Sequence, residues 1–441
     1  MEKEITRRSF IKTGAKGVAL TAAFSSLYPD LFAQNEEMKP VRIGVIGSGG
    51  RGTHLLRILL SFPGVSVPAI CDINEKNLNH AIDLVKEIKG TMPVGYSKGE
   101  YDYRNLLKRD DLDGVLIATP QQWHATMTVD ALKAGKHVGC EVPAAWELGQ
   151  LWEMVKAKEE SGKHYMLLEN YVYAPHHMAI LNMVEKGLFG DPYYALCSYI
   201  HATPELYFES DGTPAWRGWT YINAYGNIYP THALGPVSKW LSINDGDCFD
   251  YCTSMMSEPA GRVMRRYAIE RCGKDSNAAN QKYIAGEFVP TLIKTVKGSV
   301  IQVNFDGQSP RPADNYYLLQ GTMGIYKSQN GIHIDHLSPD HAYEDANKYM
   351  EKYAHAYWTK NAEKARESGH EGGDWFVMKD FFDMVRLDKE PWIDIYDAAA
   401  WSSIIECSRL SIDQKDAVQM PDFTSGKWKD PSWREGNLKP V

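Results

Sequence analysis

The chain has few cysteines and no arrangement of them that suggests a framework. Seven Cys are scattered over 441 residues, with no CxxC pair, no zinc spacing and no HExxH segment. That pattern excludes a full disulfide scaffold, points to no resident metal and fits buried thiols. Long apolar runs are also missing. The longest near the N-terminus, residues 14–27, is too short and too rich in Ala, Ser and Thr to span a bilayer. There is no basic excess either. Lys and Arg number 48 against 56 Asp and Glu, a net charge of −8, and they are dispersed. Neither nucleic acid nor membrane insertion is therefore expected.

What is present suits a globular protein of two domains, because 441 residues exceed one compact core. Tyr (25) and Trp (12) are plentiful. Such rings fill cores and interfaces, and they also stack on pyranose faces. Composition does not choose between these uses.

The N-terminus reads as an address. Arg7-Arg8, then Phe10 and Lys12, precede the modest apolar run. This is the pattern of a twin-arginine export signal, expected over residues 1–33, and it implies a periplasmic protein. Folded proteins use that route, so a cofactor can be loaded before export. An exported enzyme that carries a redox cofactor should hold it and regenerate it within each turnover.

Residues 41–46 form a short, β-branched apolar run, read as a buried parallel strand. Gly47-Ser48-Gly49-Gly50-Arg51-Gly52 follows, with helical character over residues 53–61. Strand, G-x-G-x-x-G and helix together mark a dinucleotide site on a Rossmann domain, expected over residues 40–170. Gly47 permits the turn, Gly49 lets a pyrophosphate approach and Gly52 allows close packing. A second strand, residues 65–71, ends at Asp72, about 20 residues past Gly52. A carboxylate there bonds ribose hydroxyls and repels a 2′-phosphate, which favours NAD. Further strands over 112–119, 137–140 and 165–169 place Gln121, Gln122, Trp123, His124, Glu141, Val142 and Asn170 at strand C-termini. Open α/β sheets bind ligands there.

These landmarks together resemble the Gfo/Idh/MocA family of NAD(P)-dependent sugar-handling proteins, from about Val41 to the C-terminus. That family commonly carries Glu-Lys-Pro where this chain has Glu141-Val142-Pro143, and Val142 cannot move a proton. A second set narrows the likeness: Glu169-Asn170, Tyr199-Ile200-His201, Gly226-Asn227, Tyr229-Pro230-Thr231-His232 and Ser309-Pro310-Arg311-Pro312. With these the chain is similar to glycoside hydrolase family 109, known for NAD-dependent α-N-acetylgalactosaminidases. The resemblance implies cofactor roles for Gly50, Arg51, Asp72, Gln121, Gln122, Trp123, His124, Glu141, Val142 and Asn170. It implies substrate roles for Tyr199, Arg217, Tyr229, Pro230, Thr231 and His232. The chain departs from the family at Gln121, Ala202-Thr203-Pro204, Ala233 and Ala313.

The remainder, residues 171–441, reads as an α+β substrate domain. Strand-like runs over 193–200, 249–254, 292–295, 299–306 and 316–320 suggest a large antiparallel sheet. Helices are expected over 174–186, 234–241, 374–386 and 395–413. His232, just ahead of its helix, is expected as a neutral general base. Tyr199 is expected as an acid/base phenol, with bound NAD⁺ and Arg217 the candidates for lowering its pKa. His176 and His177, adjacent on a helix, are read as surface or packing residues. The implied reaction is hydrolysis of a glycoside by oxidation at C3, elimination across C1–C2, water addition and re-reduction. NAD-dependent glycosidases are exceptions to the two-carboxylate rule. The alternative is a periplasmic sugar oxidoreductase with a tightly bound cofactor. A carbohydrate is the expected partner, in a homo-oligomer.

Overall fold

The computed structural model describes residues 40–258 and 260–440. The expected leader, residues 1–33, lies outside them. Val41–Ile46 (β1) runs into Gly50–Ser61 (α1), and Val65–Cys71 (β2) into Glu75–Lys89 (α2). Then come Val94–Tyr96 (β3), Tyr103–Leu107 (α3), Gly114–Ile117 (β4), His124–Lys133 (α4), His137–Cys140 (β5), Leu148–Ser161 (α5) and Tyr165–Leu167 (β6). The six strands are all parallel in the order β3-β2-β1-β4-β5-β6. The order reverses direction between β1 and β4, the crevice where such sheets take dinucleotides. Local chemistry sets the ends. The Asn74 side chain caps α2 by accepting from the Lys76 and Asn77 amides, and Gly90 closes it at φ 71°.

The second half adds Pro175–Glu185 (α6), Pro192–Ile200 (β7), Trp216–Asn223 (α7), Thr231–Trp240 (α8), Phe249–Ser254 (β8) and Arg262–Cys272 (α9). Val289–Thr295 (β9), Val300–Asp306 (β10), Tyr317–Gly321 (β11), Gly324–Lys327 (β12) and Gly331–Ile334 (β13) follow. Ala346–Lys352 (α10), Ala356–Ala365 (α11), Gly373–Leu387 (α12), Ile395–Gln414 (α13) and Val418–Gln419 (β14) complete the chain. The sheet order is β13-β12-β11-β7-β10-β9-β8-β14. It is mostly antiparallel, as expected, but β7 and β10 pair in parallel. About a hundred residues and three helices separate those strands, ample for the crossover that parallel pairing requires. The hairpin β12–β13 was not foreseen. Its strands are four residues each and both begin with glycine, so they carry little alternating signal.

The C-terminal helices return to the first sheet. α12 packs on α1 and β1, and α13 lies against α5, β6 and β8. Gly139 in β5 makes the first docking possible, because a Cβ there would stand 2.6 Å from the Phe381 ring of α12. Residues 41–441 thus form one compact unit.

The glycine loop shows which of its glycines serve the fold. Gly47 has φ +88°, and a Cβ would meet the Ala118 carbonyl oxygen at 2.6 Å. A Cβ on Gly52 would overlap the Gly47 carbonyl oxygen, whereas one on Gly50 would meet nothing. Gly52→Ala should therefore destabilise the ligand-free protein by about 1–3 kcal/mol, the usual cost of overpacking. Gly50→Ala should leave its melting temperature nearly unchanged. Equal melting of the two variants by calorimetry would refute this division.

Candidate active site

The loop after β1 turns into α1 earlier than its sequence suggests. The helix begins at Gly50, and Gly49 occupies the cap position with no side-chain cap. The first amides of α1 are thus left for a ligand, and a helix N-terminus favours an anion. A Cβ on Gly49 would meet only the Asn77 amide nitrogen, at 3.8 Å, so the backbone stays open to close approach. Asp72, at the end of β2, accepts from the Ser48 amide (2.7 Å) and hydroxyl (3.1 Å), and from the Asn74 amide (2.8 Å). Its carboxylate is held beside the loop, as a ribose-binding acid requires. On these grounds Gly49, Gly50 and Asp72 fit the adenosine and pyrophosphate of NAD.

Arg51 points inward. Its Nε donates to Glu141 Oε1 (2.6 Å), and its two terminal nitrogens donate to Asp374 Oδ2 (2.9 Å) and Oδ1 (2.8 Å). Asp374 is fully buried, and it also meets His54 Nε2 (2.9 Å), His370 Nδ1 (2.7 Å) and Asn170 Nδ2 (2.7 Å). Burial opposes its charge, yet bonds from His370, His54 and Arg51 hold it well below the usual carboxylate range. With its Nδ2 fixed, Asn170 keeps its buried Oδ1 without a partner. Val142 is buried, its amide donating to Glu141 Oε2 (3.1 Å). Gln121 accepts from Trp146 Nε1 (3.3 Å), and Gln122 has a buried oxygen without a partner. Trp123 sets its ring against Tyr101. His124 does not face the cleft: its ring nitrogens turn to the Pro143 and Thr119 carbonyl oxygens (2.7 and 2.9 Å). It braces the loops from beneath.

Glu169, one residue before Asn170, serves the other wall. Both its oxygens lie 2.8 Å from His232 Nδ1. His232 lies inside the first turn of α8, not ahead of it, because the helix starts at Thr231. Pro236, four residues on, has no N–H to give the His232 carbonyl. The Tyr317 hydroxyl donates there instead (2.8 Å). α8 packs on β7, which carries Tyr199. The Tyr199 ring lies 5.3 Å from His232 and 4.8 Å from Tyr229, and Tyr171 closes the other side of His232 at 4.5 Å. Burial pushes the Tyr199 phenol above its usual pKa, and neighbouring Arg217 only partly offsets this. The phenol therefore stays protonated near neutrality, with Arg217 beside it. A cavity opens here, lined by Gln121, Tyr199, His201, Trp216, Arg217 and Tyr229. Arg217 lies over the Trp216 ring (4.9 Å) and the Tyr229 ring (5.9 Å), and no carboxylate of the described residues pairs with it. Pro230 and Thr231 are buried at the head of α8, and the Thr231 hydroxyl has no partner.

The sequence reading missed Asp374, His54 and His370, and it missed Glu169 as the partner of His232. Of these only Glu169 stood in a noted motif, Glu169-Asn170, without a role of its own. His176 and His177 behave as expected. His177 is buried against Tyr171, Trp240 and Tyr317, and His176 meets Glu371 (3.2 Å). All seven cysteines are free. A group of His137, His164 and Asp388 lies at the opposite ends of the strands. There the His137 Nδ1 accepts the His164 amide (3.1 Å), which puts the ring proton on Nε2 and leaves that nitrogen no lone pair for a metal. Tyr317→Phe should remove about 1–3 kcal/mol of folding stability, because it strands the buried His232 carbonyl. Unchanged stability in denaturant titration would sink that account of Pro236.

Residues 41–169 match the oxidoreductase family with an NAD-binding Rossmann fold, and residues 173–430 match the C-terminal domain of glycosyl hydrolase 109. A glycosyl hydrolase family 109 protein of Solibacter usitatus is 39% identical, covering 88% of this chain and 89% of its own. One from Saccharopolyspora erythraea is 34% identical, over 99% and 98% of the two chains. Among solved structures, levoglucosan dehydrogenase in complex with NADH shares the fold at TM-score 0.66 and 18% identity, over 87% of this chain and 100% of its own. No helix of the described residues is long and apolar enough to cross a membrane. The chain belongs to glycosyl hydrolase family 109 and is a glycoside hydrolase that uses NAD.

Proposed function

We propose that the protein hydrolyses an α-N-acetylgalactosaminide by a redox-neutral route, in which NAD is a captive catalyst. The observation that carries this reading is the Glu169–His232 pair opposite a protonated Tyr199. Glu169 takes the His232 Nδ1, which fixes the ring and leaves Nε2 as the nitrogen able to accept a proton. Tyr199 supplies the complementary donor. The wall beneath them offers no second base, because Val142 stands where related sugar dehydrogenases carry lysine.

NAD, held by Gly49, Gly50 and Asp72, would supply the hydride acceptor and donor that the C3 carbon of the sugar needs. His232 accepts the C3 hydroxyl proton, and a C3 ketone acidifies the hydrogen on C2. Once His232 has passed its first proton to solvent, it takes the C2 proton. The freed pair forms the C1–C2 double bond as the C1–O bond breaks, and the leaving oxygen takes a proton from Tyr199. Water then adds its hydroxyl to C1 and a proton to C2, and return of the hydride with a proton restores the C3 alcohol. Tyr199 is placed to donate where oxygen gains charge. Gln121, Trp216 and Arg217 line the cavity that would hold the sugar ring. Export through Arg7-Arg8 belongs to the same proposal, since a cofactor regenerated in place needs no soluble pool.

His232→Ala should lower turnover by about two to four orders of magnitude, the weight of a general base. Wild-type rates would exclude the role. A substrate deuterated at C2 should lose label to solvent during turnover, in protein assayed without added NAD. Full retention of deuterium in the product would overturn the elimination route, and a net change in sugar oxidation state would favour an oxidoreductase.

A further inference from the structure

We infer that Asp374 is the anchor of a cofactor latch: a positioning residue that holds three cofactor-facing elements in their binding arrangement and so slows NAD release. The inference rests on the captive-cofactor reading above. Asp374 opens α12, yet its four neighbours come from elsewhere. Arg51 and His54 stand on α1, at the end that follows the glycine loop. Asn170 follows β6, and His370 sits on the short connection before α12. Through Arg51 the same network reaches Glu141 at the end of β5. One buried carboxylate thus ties together the tips of β1, β5 and β6.

Two independent features indicate that this network serves a ligand and not packing alone. The first is Asn170. Asp374 Oδ1 takes its amide nitrogen, which settles the orientation of the group, and the buried Oδ1 is left without a donor. A buried acceptor held without a partner is costly. Its environment is completed by a ligand that brings an N–H, and the carboxamide of a nicotinamide brings one. The second is the connection itself. Gly369, His370, Glu371 and Gly372 are four successive left-handed residues, with φ of 91°, 44°, 55° and 92°. Two of them carry side chains, and left-handed backbone at such residues persists only where the surroundings over-determine it. Here His370 is pinned to Asp374 and Glu371 to His176 (3.2 Å). Close packing holds the rest: a Cβ on Gly373 would overlap the Asn170 carbonyl oxygen, and one on Gly369 would crowd Asp374 and His54. The connection is held shut against the loop tips.

Such a network acts by pre-organisation. With the loop tips fixed before the cofactor arrives, little ordering is lost on binding, and release must proceed from an arrangement that does not relax. None of Asp374, His54 or His370 needs to touch the sugar.

The test measures nucleotide retention. Wild-type protein loaded with NAD is passed into NAD-free buffer, and the nucleotide remaining bound is followed by chromatography. Asp374→Asn keeps the shape and removes the charge, and it should release NAD about tenfold faster or more, the loss expected from charge-assisted bonds. His370→Gln changes a half-exposed side chain and leaves Asp374 paired with Arg51. It should release NAD several-fold faster, and it carries the test if Asp374→Asn does not fold. Both ligand-free variants are melted in parallel. Folded variants that hold NAD as long as the wild type would overturn the latch alone. A wild type that exchanges its NAD as fast as mixing allows would overturn the captive-cofactor reading and the latch with it.

Discussion

The site depends on the end of one short strand. β6 stops at Leu167, and the next residues send consecutive side chains to opposite tasks. Glu169 turns to His232 at the head of α8, while Asn170 turns to Asp374 at the head of α12. Tyr171 then lays its ring on His232, and its hydroxyl accepts from Asn315 Nδ2 (3.1 Å). The cofactor wall and the substrate wall therefore share a joint of three residues. A displacement there would move the proton acceptor and the cofactor cradle together. Gly235 lets α8 close on this joint, because a Cβ there would stand 3.0 Å from Glu169 Cγ.

Placing carboxylates in such a joint carries an electrostatic cost. A buried ion loses several kcal/mol of hydration, and only well-aligned partners recover it. Asp374 has a bidentate arginine, two histidines and an amide, and against its burial these bonds hold it below the ordinary carboxylate range. Glu169 has one imidazole and the Tyr171 amide (2.9 Å). The phenols around the cavity have only the Arg217 guanidinium for countercharge, and it offsets their burial in part. Burial raises Tyr199 and Tyr229 alike, so the phenols of this wall stay protonated. The two sides of the cleft are chemically unlike for a single reason, the supply of countercharge.

What could be read in the sequence follows the range of each interaction. The dinucleotide loop was legible because strand, turn and helix adjoin, and β2 and β5 coincide with the expected ranges. Asp374 was not legible. It lies 323 residues from Arg51 in a helix with no motif, and only the return of α12 onto α1 joins them. His124 was assigned to the cleft because Gln121, Gln122 and Trp123 precede it, but one further helical residue turns a side chain inward. The parallel pairing of β7 with β10 was hidden for a similar reason. Strand patterns record alternation, not the direction of a partner a hundred residues away.

The position of Val142 acquires a different meaning in this setting. A lysine there would add an ammonium close to Glu141, which already accepts Arg51, and so would disturb the pairing that carries Arg51 to Asp374. With a buried valine, the Glu141 carboxylate is left to the arginine and to the Val142 amide. A valine on the floor of the cleft thus leaves the Arg51–Glu141–Asp374 network undisturbed, which fits the proposal that His232, on the opposite wall, handles the proton. A dehydrogenase that exchanges its cofactor each cycle needs a base on the floor and a cradle that opens. An enzyme that returns its hydride to the same sugar needs neither, and the arrangement around Arg51, Glu141 and Asp374 suits the second economy.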